Sequence, residues 1–560
     1  MMRLSLALAA LSLIPATLTA QPPSLRPDVM GPSGAVSSDH VLASAVGADV
    51  LKRGGNAVDA AIAMAGVLAV VRPHMNGVGG DNFMLIRDSK TGKVYALNGS
   101  GRAGSKATPA FFAEQKLTRV PGSGILSVSV PGAVRGWEDA LRRFGTTTLR
   151  QALQPAIRYA DQGFPVSTRL SLDIAGEVKK VAADSALART FLVNGAAPSP
   201  GSLLVQKELA ATLRLIAAGG ARAYYTGAPA QKIAAFMERE GGLVTAADLA
   251  KHSSTWQEPI STTYLGKKVL AFPPNTQGAT FLQMLNLAEL HDLTAMGRTS
   301  TDYVHLMVEG AKLAYADRDK YIADPAFATV PVEKLLSKDY ARELGARIRK
   351  DTIVAESSDD SRDGNGDTIY LTVVDKDGNA VSMIQSLFAG FGSGRMVPGT
   401  GIVLHNRGAL YSLDSVAPQP RRPGQAPLPH TLPGHGAQRR WLALRDLRLA
   451  GGRRAAADAD PGAQQRPALR DDAAAGGRGP ALARLRRRTF RSRARAPRRR
   501  ARRAHAPRAA GERAATERRI RRGADDRDRS PVEGEAGGVG LAARGVRDRL
   551  VTARPSRRTG

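Results

Sequence analysis

The 560-residue chain contains no cysteine, and aromatic residues make up only 5% of it. The absence of cysteine excludes disulfides, thiolate metal sites and a cysteine nucleophile. It is compatible with export from the cell but does not establish export. Neither the histidines nor the aspartates show metal-ligand spacing, so we expect no metal, and no other cofactor is indicated.

Lysine is absent from the last quarter of the chain, which also lacks Asn, Tyr and Met. Residues 421–560 contain 37 Arg against 13 Asp plus Glu and carry +24 of the total charge of +30, which leaves only +6 for the other 420 residues. A packed core cannot be built from this composition. Basic character that is confined to the tail gives no reason to expect a nucleic-acid partner for the rest of the chain.

Two interpretations of the tail are open. It is either a disordered arginine-rich extension that binds acidic partners, or the product of reading a GC-rich coding sequence out of frame. Out-of-phase GC-rich codons yield Arg, Ala, Gly and Pro, whereas an evolved basic tail would normally include some Lys. The composition therefore favours the frame shift.

The first twenty residues have the pattern of an export signal. Arg3 gives a short positive start, an apolar stretch runs from Leu4 to Leu18, and Ala20 stands before the expected cut. The stretch is short for a bilayer span, and a polar segment with prolines follows it. We expect residues 1–20 to be a signal peptide, the protein to be periplasmic or secreted, and no stable membrane span to remain.

Between Ser37 and about Asp414 the sequence predicts a mixture of helices and strands. Two adjacent helices are expected within residues 43–71, separated by Gly54 and Gly55. The other predicted elements are helices over 149–163, 207–218 and 303–321, and strands over 83–87 and 93–97. The best-defined element is a hairpin, in which IYLTVVD and AVSMIQS flank the turn KDGN.

Six segments carry a family resemblance through their order and spacing. They are KRGGNAVDAAIA (52–63), GVGGDNFMLIR (77–87), VPGAVRGW (130–137), FPPNTQGATFLQMLN (272–286), KLAYADRDKYIADP (312–325) and GDTIYLTVVDKDGNAVSMIQS (366–386). Together they resemble γ-glutamyltransferases over roughly residues 37–406. The Gly-rich GVGGDNF segment lacks the Lys-Ser/Thr of a phosphate loop, so a tight structural turn is expected there.

This resemblance implies an α+β fold of the N-terminal-nucleophile hydrolase type, a four-layer αββα sandwich. It also implies one precursor that cuts itself between Asp367 and Thr368 into a large subunit (21–367) and a small subunit that begins with residues 368–420. The implied activity is hydrolysis or transfer of γ-glutamyl amides such as glutathione. The open alternatives are amide hydrolysis or acylase activity on another small acid, and an inactive truncated member with a basic anion-binding tail.

Thr368 is the expected nucleophile. A threonine hydroxyl needs a base beside it, and a liberated α-amine at Thr368, with a reference pKa of about 7.7 to 8.0, would be held within reach. Ser386 occupies the position of a family hydroxyl that orients the nucleophile, and the hairpin should bring it alongside. Without the other segments, Thr368 would be read as a strand-edge threonine and Ser386 as a buried, satisfied hydroxyl.

The sequence departs from the family at two recognition charges. Ser100 stands where an arginine holds the glutamyl carboxylate, and Leu410 stands where an aspartate holds the α-amino group. Arg102 is a candidate substitute, although it could equally be a solvated arginine, and Asn406 is retained. Loss of both charges favours an acyl group without that head group, since a buried charge without its partner is costly.

The resemblance also implies a paired-glycine segment that helps to form an oxyanion hole. In the tail, Gly451 and Gly452 are followed by two arginines, and we do not assign them this role.

Overall fold

The computed structural model describes residues 31–354 and 368–413. The predicted signal peptide, Asp367 on the amino side of the expected cut, and the arginine-rich tail with Gly451 and Gly452 lie outside these ranges.

Twelve strands occur in the described residues. They are β1 Gly34–Ser38, β2 Asp81–Arg87, β3 Val94–Gly99, β4 Phe164–Pro165, β5 Leu203–Leu204, β6 Thr255–Gln257, β7 Ile260–Tyr264, β8 Lys267–Ala271, β9 Ile369–Asp375, β10 Ala380–Ser386, β11 Arg395–Val397 and β12 Ile402–Leu404. Six form an antiparallel sheet in the order β1-β9-β10-β2-β3-β6, and the others pair as β4-β5, β7-β8 and β11-β12.

Seventeen α-helices accompany the strands within the same ranges. They are α1 Val41–Lys52, α2 Ala57–Val71, α3 Pro109–Glu114, α4 Ala133–Phe144, α5 Leu149–Ala152, α6 Gln154–Gln162, α7 Thr168–Gly176, α8 Val178–Ala182, α9 Ser185–Phe191, α10 Lys207–Thr226, α11 Ala228–Arg239, α12 Ala246–Ala250, α13 Gly278–Ala288, α14 Leu293–Met296, α15 Thr301–Tyr321, α16 Val332–Leu336 and α17 Lys338–Gly345. The predicted α+β class is confirmed.

Most predicted elements are present with small changes of length. The helix expected over 149–163 is divided at Leu153 into α5 and α6, because Pro155 has no N–H to continue the first helix. The helix expected to end at residue 218 continues to Thr226, with a non-helical residue at Gly220 (φ 65°). The predicted end at residue 218 thus lies two residues before a break in helical geometry at Gly220, beyond which a further helical segment follows.

The two faces of the six-stranded sheet differ in burial. Helices α2 and α4 pack on one face, where β9 buries Ile369, Leu371 and Val373. On the other face the alternate residues, such as Tyr370 and Thr372, are only half-buried. No second large sheet occurs within 31–354 and 368–413, so the described residues build one central sheet of the expected sandwich.

The β9–β10 turn is fixed by the carboxylate of Asp375. One carboxylate oxygen accepts hydrogen bonds from the amides of Asp377 (3.0 Å) and Asn379 (2.9 Å), and the other accepts one from Ala57 N (3.0 Å) at the start of α2. Gly378 supplies the positive φ (81°) of the turn. The hairpin is thereby locked in register and tied to the N-terminus of the buried helix.

The predicted tight turn in the GVGGDNF segment is confirmed, since Gly80 N donates a hydrogen bond to the Gly77 carbonyl (3.1 Å). Two glycines of this segment also allow close backbone contacts. A Cβ at Gly79 would lie 2.1 Å from the carbonyl oxygen of Val403, and one at Gly80 would lie 2.2 Å from that of Ser386. A Cβ at Gly77 would meet nothing within 4 Å. The segment therefore packs directly against the carboxyl end of β10.

The glycines provide a matched test of this packing. We expect Gly80→Ala to lower the free energy of unfolding by about 1–3 kcal/mol, because the added methyl group overlaps a backbone oxygen that cannot move aside cheaply. Urea unfolding of the purified chain measures the change, and Gly77→Ala is the control. Equal midpoints for the two variants would contradict the proposed contact.

Candidate active site

Thr368 and Ser386 meet at one end of the β9–β10 ladder. The register pairs Ile369 with Gln385, so the next position places Thr368 opposite Ser386. Their hydroxyl oxygens are 3.0 Å apart. Thr368 is half-buried, whereas Ser386 is fully buried and its oxygen accepts a hydrogen bond from Phe388 N (2.7 Å). The structure thus brings together the predicted nucleophile and the predicted orienting hydroxyl.

A buried polar chain holds the end of β10 in place. On the helix-facing side, Gln385 Oε1 accepts a hydrogen bond from Trp137 Nε1 of α4 (2.7 Å). Gln385 Nε2 donates to Asn76 Oδ1 (2.7 Å), and Asn76 Nδ2 donates to the carbonyl of Leu68 in α2 (3.0 Å). These bonds fix Gln385 to α2 and α4. The backbone of the next residue, Ser386, is therefore held in place, and its hydroxyl on the opposite face of β10 has little freedom to move.

Sequence reasoning missed a buried ion pair next to this hydroxyl. Asp81 lies directly opposite Ser386 in the β10–β2 pairing. It accepts two hydrogen bonds from Arg407, one from Nε (2.7 Å) and one from Nη2 (3.0 Å). Both side chains are fully buried. The sequence does show one acidic residue, Asp81, in the segment GGDNF and one basic residue, Arg407, in the segment LHNRG. These two charges in largely uncharged segments were the signal that could have indicated the pair.

The ion pair controls the protonation state of Asp81. Burial opposes ionisation of the carboxyl group, but it is outweighed by the adjacent Arg407 guanidinium together with His405, whose Nδ1 lies 3.8 Å from an Asp81 carboxylate oxygen, and the pKa of Asp81 is held below its usual range. The phenyl ring of Phe388 lies 4.9 Å from the guanidinium carbon. Arg407 is therefore fixed between a carboxylate and an aromatic ring, both next to Ser386.

Asn406 and Arg102, the two predicted substrate-binding residues, lie in different surroundings. Asn406 is buried; its Oδ1 accepts from Ala389 N (3.1 Å) and its Nδ2 donates to the Gly122 carbonyl (2.7 Å). Arg102 is half-buried, and its carbonyl accepts from Val130 N (2.9 Å). The structure shows Asn406 holding backbone segments together, and direct substrate contact by either residue stays a prediction.

The charge of Arg102 acts on a neighbouring histidine. Burial lowers the pKa of His252 to about 3, and the positive charges of Arg135 and Arg102 add to this effect. His252 is thus neutral near pH 7.

Neither altered recognition position offers a charge to an amino-acid head group. Ser100 is buried, and its N–H and hydroxyl both donate to Asn98 Oδ1 (2.9 and 2.7 Å). Leu410 is buried in an apolar cluster with Ala409 and Phe388. Ser100 also lies in the same row of residues as the nucleophile. Thr368, Ser386 and Asp81 lie side by side on neighbouring strands, and because Asn82 pairs with Gly99, Ser100 comes next to Asp81 just beyond β3.

Comparison with known proteins gives this geometry its context. The family model described as gamma-glutamyltranspeptidase matches residues 43–433. The chain belongs to the γ-glutamyltranspeptidase family. Its fold is that of the N-terminal-nucleophile hydrolases, and its relatives are made as proenzymes.

Three similar proteins illustrate the range of this family. A glutathione hydrolase-like YwrD proenzyme of Bacillus subtilis (strain 168) is 42% identical over 391 residues, which are 70% of this chain and 73% of the relative. An acylase ACY 1 proenzyme of Pseudomonas sp. (strain SE83) is 39% identical over 402 residues, 70% and 71% of the two chains. The crystal structure of cephalosporin acylase from Bacillus halodurans superposes with a TM-score of 0.68 at 37% identity and covers 74% of this chain and 76% of that one.

The helices carry no candidate membrane span: throughout the described ranges, none combines the length and apolar character that crossing a bilayer requires.

Removal of the Ser386 hydroxyl tests its orienting role. We expect Ser386→Ala to lower kcat by roughly 10- to 100-fold, because a misplaced nucleophile loses most of its advantage. Ser382→Ala is the control, since that hydroxyl lies on the same face of β10 but bonds to Tyr370 Oη (2.8 Å). Steady-state kinetics with a chromogenic amide measures both variants. An equal loss in both would mean that only strand stability was affected.

Proposed function

We propose that this chain is a self-cleaving amide hydrolase in which Thr368 serves first in maturation and then as the catalytic nucleophile. The observation that carries the proposal is the 3.0 Å contact between the hydroxyls of a half-buried Thr368 and a fully buried Ser386. The preferred substrates are amides of a small acid that lacks the α-amino-acid head group of glutamate. Processing would yield a large subunit ending at Asp367 and a small subunit beginning at Thr368.

Maturation uses the side chain of Thr368 to attack the peptide bond that precedes it. The Thr368 hydroxyl attacks the carbonyl carbon of Asp367, its proton passes to the departing amide nitrogen, and the peptide bond becomes an ester. Water then hydrolyses the ester, which leaves a carboxylate on Asp367 and a free α-amine on Thr368. The contact with Ser386 orients the attacking oxygen in this step.

Turnover reuses the same oxygen with the new amine as its base. The Thr368 hydroxyl gives its proton to its own α-amine and attacks the substrate carbonyl. Collapse of the tetrahedral intermediate expels the amine portion of the substrate, which takes up the proton, and leaves an acyl ester on Thr368. Water resolves this ester to the free acid, and an acceptor amine would resolve it to a new amide.

The acyl preference is supported by the two altered recognition positions. The hydrogen-bonded Ser100 and the apolar Leu410 cannot pair with the carboxylate and ammonium of a glutamyl group. A head group bound there would lose its solvation without gaining partners. The similarity to an acylase proenzyme agrees with this preference, whereas the similarity to a glutathione hydrolase-like proenzyme keeps γ-glutamyl amides as the alternative substrate class.

We further propose that the precursor is exported, on the basis of Arg3 and the apolar stretch from Leu4 to Leu18. Amino-terminal sequencing of the periplasmic or secreted protein tests this, and a large subunit that still begins at Met1 would contradict it.

Substitution of Thr368 tests the proposed nucleophile. We expect Thr368→Ala to remain one chain, because no hydroxyl is present to attack the preceding carbonyl. Thr368→Ser should be processed roughly a few-fold more slowly, because it keeps the hydroxyl. Gel electrophoresis and intact mass measurement follow processing over time. Normal cleavage of the alanine variant would end the proposal.

The pH dependence of turnover tests the proposed base. The α-amine must be neutral to accept a proton, so kcat/KM should rise about tenfold per pH unit at low pH and level off above a pKa near its reference value of about 7.7 to 8.0. Processing occurs before this amine exists and should not share that profile. A turnover profile that is flat from about pH 6 to pH 9 would contradict this assignment.

A further inference from the structure

The loop that follows Ser386 contains strained backbone. Residues 387–394 join β10 to β11, and within them Phe388 (φ 79°) and Phe391 (φ 53°) have left-handed backbone conformations. Residues other than glycine rarely adopt this conformation, because the Cβ atom then lies too close to backbone oxygen. Such residues persist only where surrounding contacts fix them. This loop starts directly after the orienting hydroxyl, so the contacts that fix it also affect the site.

The first part of the loop is hydrogen-bonded to the partner of the nucleophile. Phe388 N donates to Ser386 Oγ (2.7 Å), and Ser386 Oγ lies 3.0 Å from Thr368 Oγ1. A hydroxyl group that accepts a hydrogen bond from a fixed N–H has fewer directions left for its own proton and its other lone pair. The conformation of the loop therefore limits how Ser386 can contact Thr368.

The peptide unit between Gly390 and Phe391 is held at both ends. Phe391 N donates to the His74 carbonyl (2.7 Å), and Lys180 Nζ, from α8, donates to the Gly390 carbonyl (2.7 Å). Within residues 31–354 and 368–413, the Gly390 carbonyl accepts no other hydrogen bond. Hydrogen bonds from a charged ammonium are stronger than those from a neutral donor. Lys180 therefore supplies the side-chain contact that fixes this peptide unit beside the strained Phe391.

Lys180 and Glu177, at the start of α8, also lie closely against the loop. Lys180 Nζ is 3.2 Å from Glu177 Oε2, and both side chains are half-buried. A Cβ at Gly394 would lie 2.9 Å from Lys180 Cγ, and one at Gly390 would lie 2.8 Å from Glu177 Oε1. The loop backbone thus contacts these two side chains at two separate points, which limits its movement toward α8.

We propose that Lys180 is a positioning residue for the nucleophile. Its bond to the Gly390 carbonyl keeps the loop in its strained conformation, the loop keeps the Phe388 N–H on Ser386, and Ser386 keeps the Thr368 hydroxyl in place. Without that bond the loop relaxes, and the N–H no longer restricts the Ser386 hydroxyl. This inference rests on the proposed function of Thr368 and extends the machinery of the same site to α8.

Lys180→Met in the full chain tests the proposal, because methionine keeps an unbranched side chain but has no N–H to donate. We expect self-cleavage before Thr368 to slow by about tenfold, since a misplaced hydroxyl attacks less often. In the processed protein, kcat for the γ-glutamyl and glutaryl p-nitroanilides should fall by about tenfold, with KM changed less than about twofold. Lys180→Arg keeps a charged donor and should retain most of both rates.

Lys232→Met is the matched control. Lys232 Nζ, from α11, donates to the Gly399 carbonyl (2.9 Å), so this variant loses the same kind of bond from a different loop, beyond β11. It should be processed at the rate of the unchanged chain. Equal slowing in Lys232→Met and Lys180→Met would show a general loss of stability and would overturn the positioning role of Lys180.

Hydrogen exchange separates failure of this inference from failure of the proposed function, because it requires no cleavage and no substrate. In chains that also carry Thr368→Ala, we expect Lys180→Met to raise the amide exchange rate of residues 388–391 by about tenfold. Unchanged exchange, or a Lys180→Met precursor that cuts itself at the normal rate, would refute the role of Lys180 alone. A chain with Lys180 and Thr368 intact that never cuts itself would refute the proposed function, and the exchange result would still stand.

Discussion

The pairing of β9 with β10 is the constraint on which the rest of the site depends. Side chains alternate between the faces of a strand, so a slip of one residue would exchange the two faces. Here the Asp375 carboxylate organises the turn and also accepts a hydrogen bond from the N-terminus of α2. This double use fixes the register and thereby places Thr368 opposite Ser386 and Ser386 opposite Asp81.

Close packing turns that row of residues into a rigid site. The backbone at Gly80 lies against the Ser386 carbonyl, and Trp137 and Asn76 hold Gln385 from the helix side. The ion pair of Asp81 and Arg407 adds charge in a region that excludes water. Such a pair contributes little net stability, because desolvation offsets the attraction.

The sequence indicated the hairpin, the paired helices within 43–71 and the contact between Thr368 and Ser386, because alternation, turn residues and glycine breaks are local signals. It did not indicate the pairing of Asp81 with Arg407, which are 326 positions apart and meet only through the order of the sheet. Nor did it show that both polar ends of the Asn406 side chain bond to the backbone. Hydrogen bonds between residues that are far apart in the chain produce no periodic pattern in the sequence, so only the structure could reveal them.

Trapping of the acyl-enzyme is the most direct test of the central claim that Thr368 is the nucleophile at a new chain terminus. The full chain is mixed with a short acid anilide, quenched with acid within one turnover and digested for peptide mass analysis. We predict that the acyl mass appears on the peptide that begins with Thr368. An acyl group on another residue, or an uncut peptide that runs through Asp367 and Thr368 in an active preparation, would contradict the account.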